Sequence, residues 1–277
     1  MLLIAARFFQ FSAACALFGG GFFDLWCQFR TGRGIRPAVP FWSLLLIASS
    51  LAGLWAITAT ITDAPPTPDA IAAVLTGTGI GHVWIFRFAV MMILLPAAWA
   101  PRLRFVPALL GGVLLGSLAW AGHGAMNEGW GGAIHLAADV GHLLGAGLWL
   151  GALPVLLVLL NRDLAHAQAV LGGFAVIGTT AVGLLGASGL VNAWFLVGPN
   201  HIVDLTATAY GRLLIAKLGL FAAMLALASL NRWILTPALL RDGPAHLRLA
   251  IGTELACGAL VLAAVAWMGT LVPAIST

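Results

Sequence analysis

The 277-residue chain is poor in charge: Asp, Glu, Lys and Arg together make up 8% of it, against 61% hydrophobic residues. So little charge excludes a soluble globular domain, and a mean hydropathy of +1.04 marks an integral membrane protein. Cysteine is scarce as well. Cys15, Cys27 and Cys257 are unmatched in spacing and fall in apolar stretches, which reads as small buried hydrophobes and implies no disulfide framework. The chain lacks a GxxxxGK[ST] phosphate loop and has no soluble segment to house an ATP motor, so an ATP-driven pump is excluded and no enzyme activity is expected. No convincing cleavage site follows the apolar N-terminus, which Arg7 interrupts, so that segment reads as a first span. The formal charge of +4 gives no support to nucleic-acid binding, because arginines in a membrane protein first report orientation.

What is present is a succession of apolar runs of about 18 residues or more, each long enough to cross a ~30 Å hydrocarbon core as a helix. Eight spans are predicted, at 5–28, 41–61, 80–99, 105–122, 132–159, 170–196, 210–230 and 248–271. The expected fold is an all-α bundle of about eight transmembrane helices in a lipid bilayer, one domain over residues 1–277. Arg30, Arg33, Arg36, Arg102, Arg104, Arg162, Arg232, Arg241 and Arg248 fall in alternate loops. The other loops carry Asp63, Asp69, Asn127, Glu128, His201 and Asp204 but no lysine or arginine, so both termini are expected on the periplasmic or exterior side.

The third and seventh spans echo one another, `GTGIGHVWIFRFAVMM` against `ATAYGRLLIAKLGLFAAM`. Gly81 to Arg87 and Gly211 to Lys217 have the same spacing, as do Ser49 to Trp55 and Ser188 to Trp194. These rhymes suggest halves 1–125 and 126–277 of four spans each, an even number that runs both halves the same way through the membrane. Chance similarity of apolar helices is the competing explanation.

Histidines gather on the outer side: His82, His123, His135, His142 and His201, with His166 and His246 in cytoplasmic loops. A single histidine would read as a solvated or hydrogen-bonded residue, but five on one side, two inside a span, point to ligands for copper, zinc, iron or nickel. His135, Asp139 and His142 stand at i, i+4 and i+7 on one helical face. Residues seven apart are separated by about 10.5 Å along the axis, too far for one ion. The spacing therefore predicts an outer station of His135 with His123 and Met126, and an inner one at His142, with Asp139 as a ligand or an acceptor that fixes an imidazole. Met91, Met92 and Met224 offer thioethers at mid-membrane, where core packing is the commoner use. Arg87, Lys217, Asp24 and Glu254 are intramembrane charges that must pair, gate or line a polar cavity, whereas Arg7 and Arg212 lie close enough to the surface to snorkel.

The run `AGHGAMNEGWGGAIHLAADVGHLLGAGLWLGALPVLL`, then `SGLVNAW`, then `TAYGRLLIAKLGLFAAMLALASLNRWILTPAL`, resembles the copper resistance D family of bacterial inner-membrane proteins. The resemblance implies an eight-span protein that imports copper from periplasm to cytoplasm, beside a small periplasmic copper-binding partner of the copper resistance C family. It further implies that His123, His135 and His142, with Asp139, matter to that activity, while His82 and His201 rest on topology alone. Two other classes compete: a membrane cytochrome with b-type haem on paired histidines, and an assembly or sensor subunit that binds copper without moving it.

Overall fold

The structure, a computed structural model, describes residues 1–32, 38–122, 129–198 and 205–272; the candidate ligands His123, Met126 and His201 lie outside the described residues. Among the described residues the chain forms nine helices and no strand. They are α1 (Leu2–Thr31), α2 (Val39–Thr62), α3 (Pro68–Gly77), α4 (Gly79–Ala98), α5 (Phe105–Ala121), α6 (Gly129–Arg162), α7 (Leu164–Leu196), α8 (Ala209–Asp242) and α9 (Ala245–Met268). Seven of these are long and apolar enough to cross a membrane. The predicted fourth span, α5, is shorter: 13 α-helical residues followed by a 3-10 turn of 4, Leu118–Ala121. The larger rise of that turn brings its length to about 27 Å, close to a hydrocarbon core of ~30 Å. The chain is an all-α, multi-pass membrane protein.

Side-chain oxygens start several of these helices. Thr67, Thr78, Asp163 and Thr208 accept from backbone N–H groups of the first turns of α3, α4, α7 and α8. The helix α3 lies where hydropathy predicts only a loop between the second and third spans. Thr67 followed by Pro68 is a cap with proline at the first helical position, and that pair decides the matter locally. Thr78 and Thr208 are capped alike, each accepting from the glycine three residues on, Gly81 at 2.9 Å and Gly211 at 3.0 Å.

The centre of the bundle is α6, the most buried of the spanning helices, while α8 is the least buried and lies at the periphery. Where α1 crosses α6 it loosens into a π turn, Ala16–Gly20. The cause is a pair of backbones in near contact. A β-carbon on Gly151 would stand 2.1 Å from the Cys15 carbonyl oxygen, and one on Gly19 would stand 1.8 Å from that of Gly147. Helices in lipid associate through such small-residue contacts because burying apolar side chains gains little there. Beyond this crossing α1 packs on α2, α5 and α9, and α6 packs on α5, α7 and α9.

The two ends of the bundle differ in charge. At one, Asp24 meets Arg104 at 3.9 Å, Arg104 donates to Gln28 at 3.3 Å, and Arg248 donates to Asn161 at 2.8 Å. Arg30 lies over the Trp26 ring at this same end. At the other end Arg7 reaches the Ala121 carbonyl. The first part of α8, Ala209–Leu230, packs on α9 and stands apart from α7, while its last part meets α7 through Arg232, which donates to Thr179 at 2.9 Å. Between α7 and that part of α8 the packing leaves a gap.

Candidate functional site

Behind that gap lies a cavity of about 480 Å³ between α1, α6, α7, α8 and α9. Its walls are largely apolar, with Phe11, Leu150, Phe221 and Leu262 among them. The polar groups are Arg7, Asp139, His142, Asn192, Tyr210 and Lys217, with Trp149 and Met224 deeper in. A few polar side chains converging in an apolar hollow is the usual form of a small-ligand site.

The His142 imidazole packs against Gly189 of α7, whose missing side chain leaves it 3.6 Å from where a β-carbon would be. Its Nδ1 is 3.0 Å from the Ser188 hydroxyl. Ser188 donates its own proton to the Leu184 carbonyl at 2.5 Å, so toward the histidine it accepts. Nδ1 therefore carries the proton, and Nε2 keeps its lone pair, the form in which imidazole binds a metal. One turn away, Asp139 accepts from Asn192 Nδ2 at 2.7 Å. The Asn192 amide oxygen is left buried with no hydrogen-bond partner, an available acceptor beside the carboxylate.

The other sequence candidates divide. His135 is fully buried and stacks on Phe195 of α7, ring centroids 4.7 Å apart, one turn from Asp139 but outside the cavity lining. His82 is exposed in the first turn of α4, within 3.3 Å of the Thr76 carbonyl, at an apolar hollow shared with Phe86 and Trp120, and does not line the cavity at His142. Among the described residues no group of three His, Cys, Asp or Glu side chains could hold a metal ion together. Of the methionines, Met224 and Met268 line the cavity, Met91 is packed in the core, and Met92 is 72% exposed on the surface of α4.

The intramembrane charges likewise have separate settings. Arg87 is buried, donating from Nε to the Ser117 hydroxyl at 3.0 Å and from Nη2 to the Ser117 carbonyl at 2.7 Å, with its guanidinium over Trp84. Asp24 pairs with Arg104 at the arginine-rich end. Glu254, 2% exposed, accepts from Trp149 Nε1 and from Asn231 Nδ2. Asn231 opens a second π turn, Asn231–Leu235, which turns its side chain toward α9. Lys217 lines the cavity within electrostatic reach of Asp139 and His142. Arg7, expected to snorkel, instead lines the same cavity because Gly269 at the end of α9 leaves room for its guanidinium. Arg212 does stay at the surface, on the Thr206 and Ala207 carbonyls.

Fold and cavity together define a polytopic membrane protein whose interior offers an imidazole nitrogen, a carboxylate and a thioether in one hollow. Comparison with known proteins narrows this class. Residues 1–133 match the family described as copper resistance protein D-like, N-terminal domain, and residues 168–268 match copper resistance protein D. The chain is 33% identical to Copper resistance protein D of Pseudomonas syringae pv. tomato, over 98% of this chain and 97% of that protein. It is 29% identical to Inner membrane protein YebZ of Escherichia coli K12, over 98% of each. A third relative, Copper transport protein CutJ of Bacillus subtilis, is 30% identical over 64% of this chain and 34% of its own length. No solved structure matches the chain significantly. The protein belongs to the copper resistance protein D family.

Proposed function

We propose that this protein carries copper across the bacterial inner membrane from periplasm to cytoplasm, and that the ion passes through the cavity at His142. The observation that carries the reading is the His142 ring, oriented by Ser188 so that an unprotonated nitrogen is available in a membrane-embedded hollow. The relatives support the cargo and the compartment: two are named for copper and one for the inner membrane.

The outer station comprises His135 together with His123, Met126 and, more peripherally, His82 and His201. It captures copper delivered by a small periplasmic protein of the copper resistance C family, and Asp139 lies between it and His142. Inward of His142 the thioether of Met224 suits a cuprous ion, since soft sulfur ligands favour that oxidation state. Lys217 and Glu254 set the charge the ion meets along this route, while Arg87 and Asp24 hold the helices around it. Both termini face the periplasm, and the chain forms two parallel halves, 1–125 and 126–277. The alike caps of Thr78 and Thr208 support that division. So does the packing, in which α1 lies on α9 as α6 lies on α5.

Copper uptake into proteoliposomes tests the proposal. Wild-type protein is expected to load the vesicles, His142→Ala to retain surface copper binding but lose uptake, and His135→Ala to weaken capture. Uptake by His142→Ala at the wild-type rate would remove this cavity from the path. Haem is the less supported reading, because among the described residues His142 is the one histidine lining the cavity, and bis-histidine ligation needs two at one depth.

A further inference from the structure

Glu254 is a buried acid without a countercharge. It lies behind Trp149, whose ring lines the cavity, and accepts from the indole Nε1 and, at 2.9 Å, from Asn231 Nδ2. Both donors are neutral, and among the described residues the carboxyl forms no ion pair. The helices packed on α9 are α1, α6 and α8, and their charged groups are directed elsewhere. Arg232, beside Asn231, donates to Thr179, and Arg248 of α9 itself to Asn161. Asp139, His142 and Lys217 line the cavity, as does Arg7 of α1. From α1 and α9 come the thiols Cys15 and Cys257. A bare carboxylate charge in such a setting is costly.

The Asn231 amide is built to serve the carboxyl in two forms. Its Nδ2 is given to Glu254, while its Oδ1 is buried with no partner. Turned half a revolution about the Cβ–Cγ bond, the same amide presents Oδ1 to Glu254 Oε2, an acceptor for a carboxyl O–H. Asn231 thus pairs with the ionised acid through Nδ2 and with the protonated acid through Oδ1, and the Trp149 N–H donates to the other oxygen in both. We infer that Glu254 is a proton-exchange site, which holds a proton until copper enters the cavity and then gives it up.

The protonation of Glu254 stands on this geometry; its exchange against copper rests on the path proposed above. Met224 brings that path to α9, since its Cε is 3.6 Å from where a β-carbon on Gly258 would be, and Gly258 is one turn from Glu254. One buried negative charge balances one positive charge, so a cuprous ion there and a proton on the carboxyl exclude each other. As copper arrives the Oε2–H bond breaks, the proton passes to water at the arginine-rich end, and the carboxylate left behind offsets the charge of the ion. Arg248, at that end, is six residues from Glu254, about 9 Å along the helix. Net charge inside the bundle is unchanged by the exchange.

Infrared difference spectroscopy of the purified full-length protein in detergent reads the proton directly. Wild type minus Glu254→Gln is expected to show the carbonyl band of a protonated carboxyl, and Asp139→Asn to keep it. Cuprous ion, added as its acetonitrile complex, is expected to remove the band and to release a proton that Glu254→Gln does not release. Should Glu254→Gln fail to fold, Asn231→Ala leaves the acid in place and is expected to move the band, because the O–H loses its acceptor. Absence of the band from wild type overturns the site, and a band that saturating copper leaves in place overturns the exchange. In proteoliposomes an acidic lumen is expected to speed copper uptake by wild type but not by Glu254→Gln; equal acceleration of both rejects the coupling. His142→Ala separates the two proposals, since it is expected to lose uptake and keep the band. Undiminished uptake by His142→Ala would remove the cavity path and leave the proton on Glu254 standing.

Discussion

Removing the Ser188 hydroxyl is the cleanest perturbation of the site, because it touches the histidine's proton and nothing else in the cavity. Ser188 holds Nδ1–H at 3.0 Å while its own proton goes to Leu184. In Ser188→Ala the Nδ1–H loses its hydroxyl acceptor and keeps only the weaker contact with the Leu185 backbone; a buried donor left unpaired costs about 1–3 kcal/mol. The ring escapes that cost by moving its proton to Nε2, which removes the lone pair from the cavity side. Copper affinity is therefore expected to fall by about 10- to 100-fold, the usual effect of deleting a hydrogen bond that orients a ligating histidine. That corresponds to about 1.4–2.7 kcal/mol. Competition against a chromogenic cuprous chelator measures the affinity, and nitrogen chemical shifts of labelled histidine report which ring nitrogen is protonated. Ser49→Ala is the control, since Ser49 makes the same kind of bond to its own helix, to Leu46 at 3.1 Å, without touching a histidine. An affinity for Ser188→Ala equal to that of Ser49→Ala, or an unchanged tautomer, would refute the reasoning.

Three further outcomes are expected. Gly151→Val places a branched side chain where a β-carbon already meets the Cys15 carbonyl at 2.1 Å, so folded yield in size-exclusion chromatography should collapse. Gly178→Val, with open space around it, should elute as wild type. Asp139→Asn is expected to lower copper affinity by about 10- to 100-fold if the carboxylate orients a ligand; X-ray absorption showing one ligand fewer would instead assign it to the metal, and unchanged binding would leave it a partner of Asn192. A reporter fused after Thr277 should read as periplasmic, and cytoplasmic activity there would undo the outer placement of the histidines.

Hydropathy alone outlines the bundle, because each membrane crossing must hide its backbone within one apolar helix of fixed minimum length. What it misses are the places where geometry is set by a partner distant in sequence. The sequence cannot tell which way Arg7 turns, since both surface and interior lie within reach of a long side chain; the vacancy that draws it inward is at Gly269, at the far end of the chain. Ser188 stands out in the sequence only through its spacing from Trp194, yet its partner is His142, 46 residues away. The triad of Trp149, Asn231 and Glu254 joins three helices and has no local signature. By contrast α3 was legible in principle, from Thr67 and Pro68. On α6 the periodicity of His135, Asp139 and His142 gives a shared face, but the packing of α7 divides that face. Phe195 covers His135, and the gap at Gly189 opens His142 to the cavity.

The parting of α7 from the first part of α8 means that protein alone does not complete the wall of this chamber. Leu190 and Trp194 on one side of the gap, 76% and 66% exposed, and Leu218 on the other, 54% exposed, offer their surfaces to whatever lies outside, which in a bilayer is acyl chain. Lipid tails then form one side of the chamber and become part of its dielectric. The binding strength of every charged group inside depends on how tightly those tails pack and how much water they admit. Chain length and unsaturation of the surrounding lipid thereby become chemical variables of the site, on the same footing as its side chains.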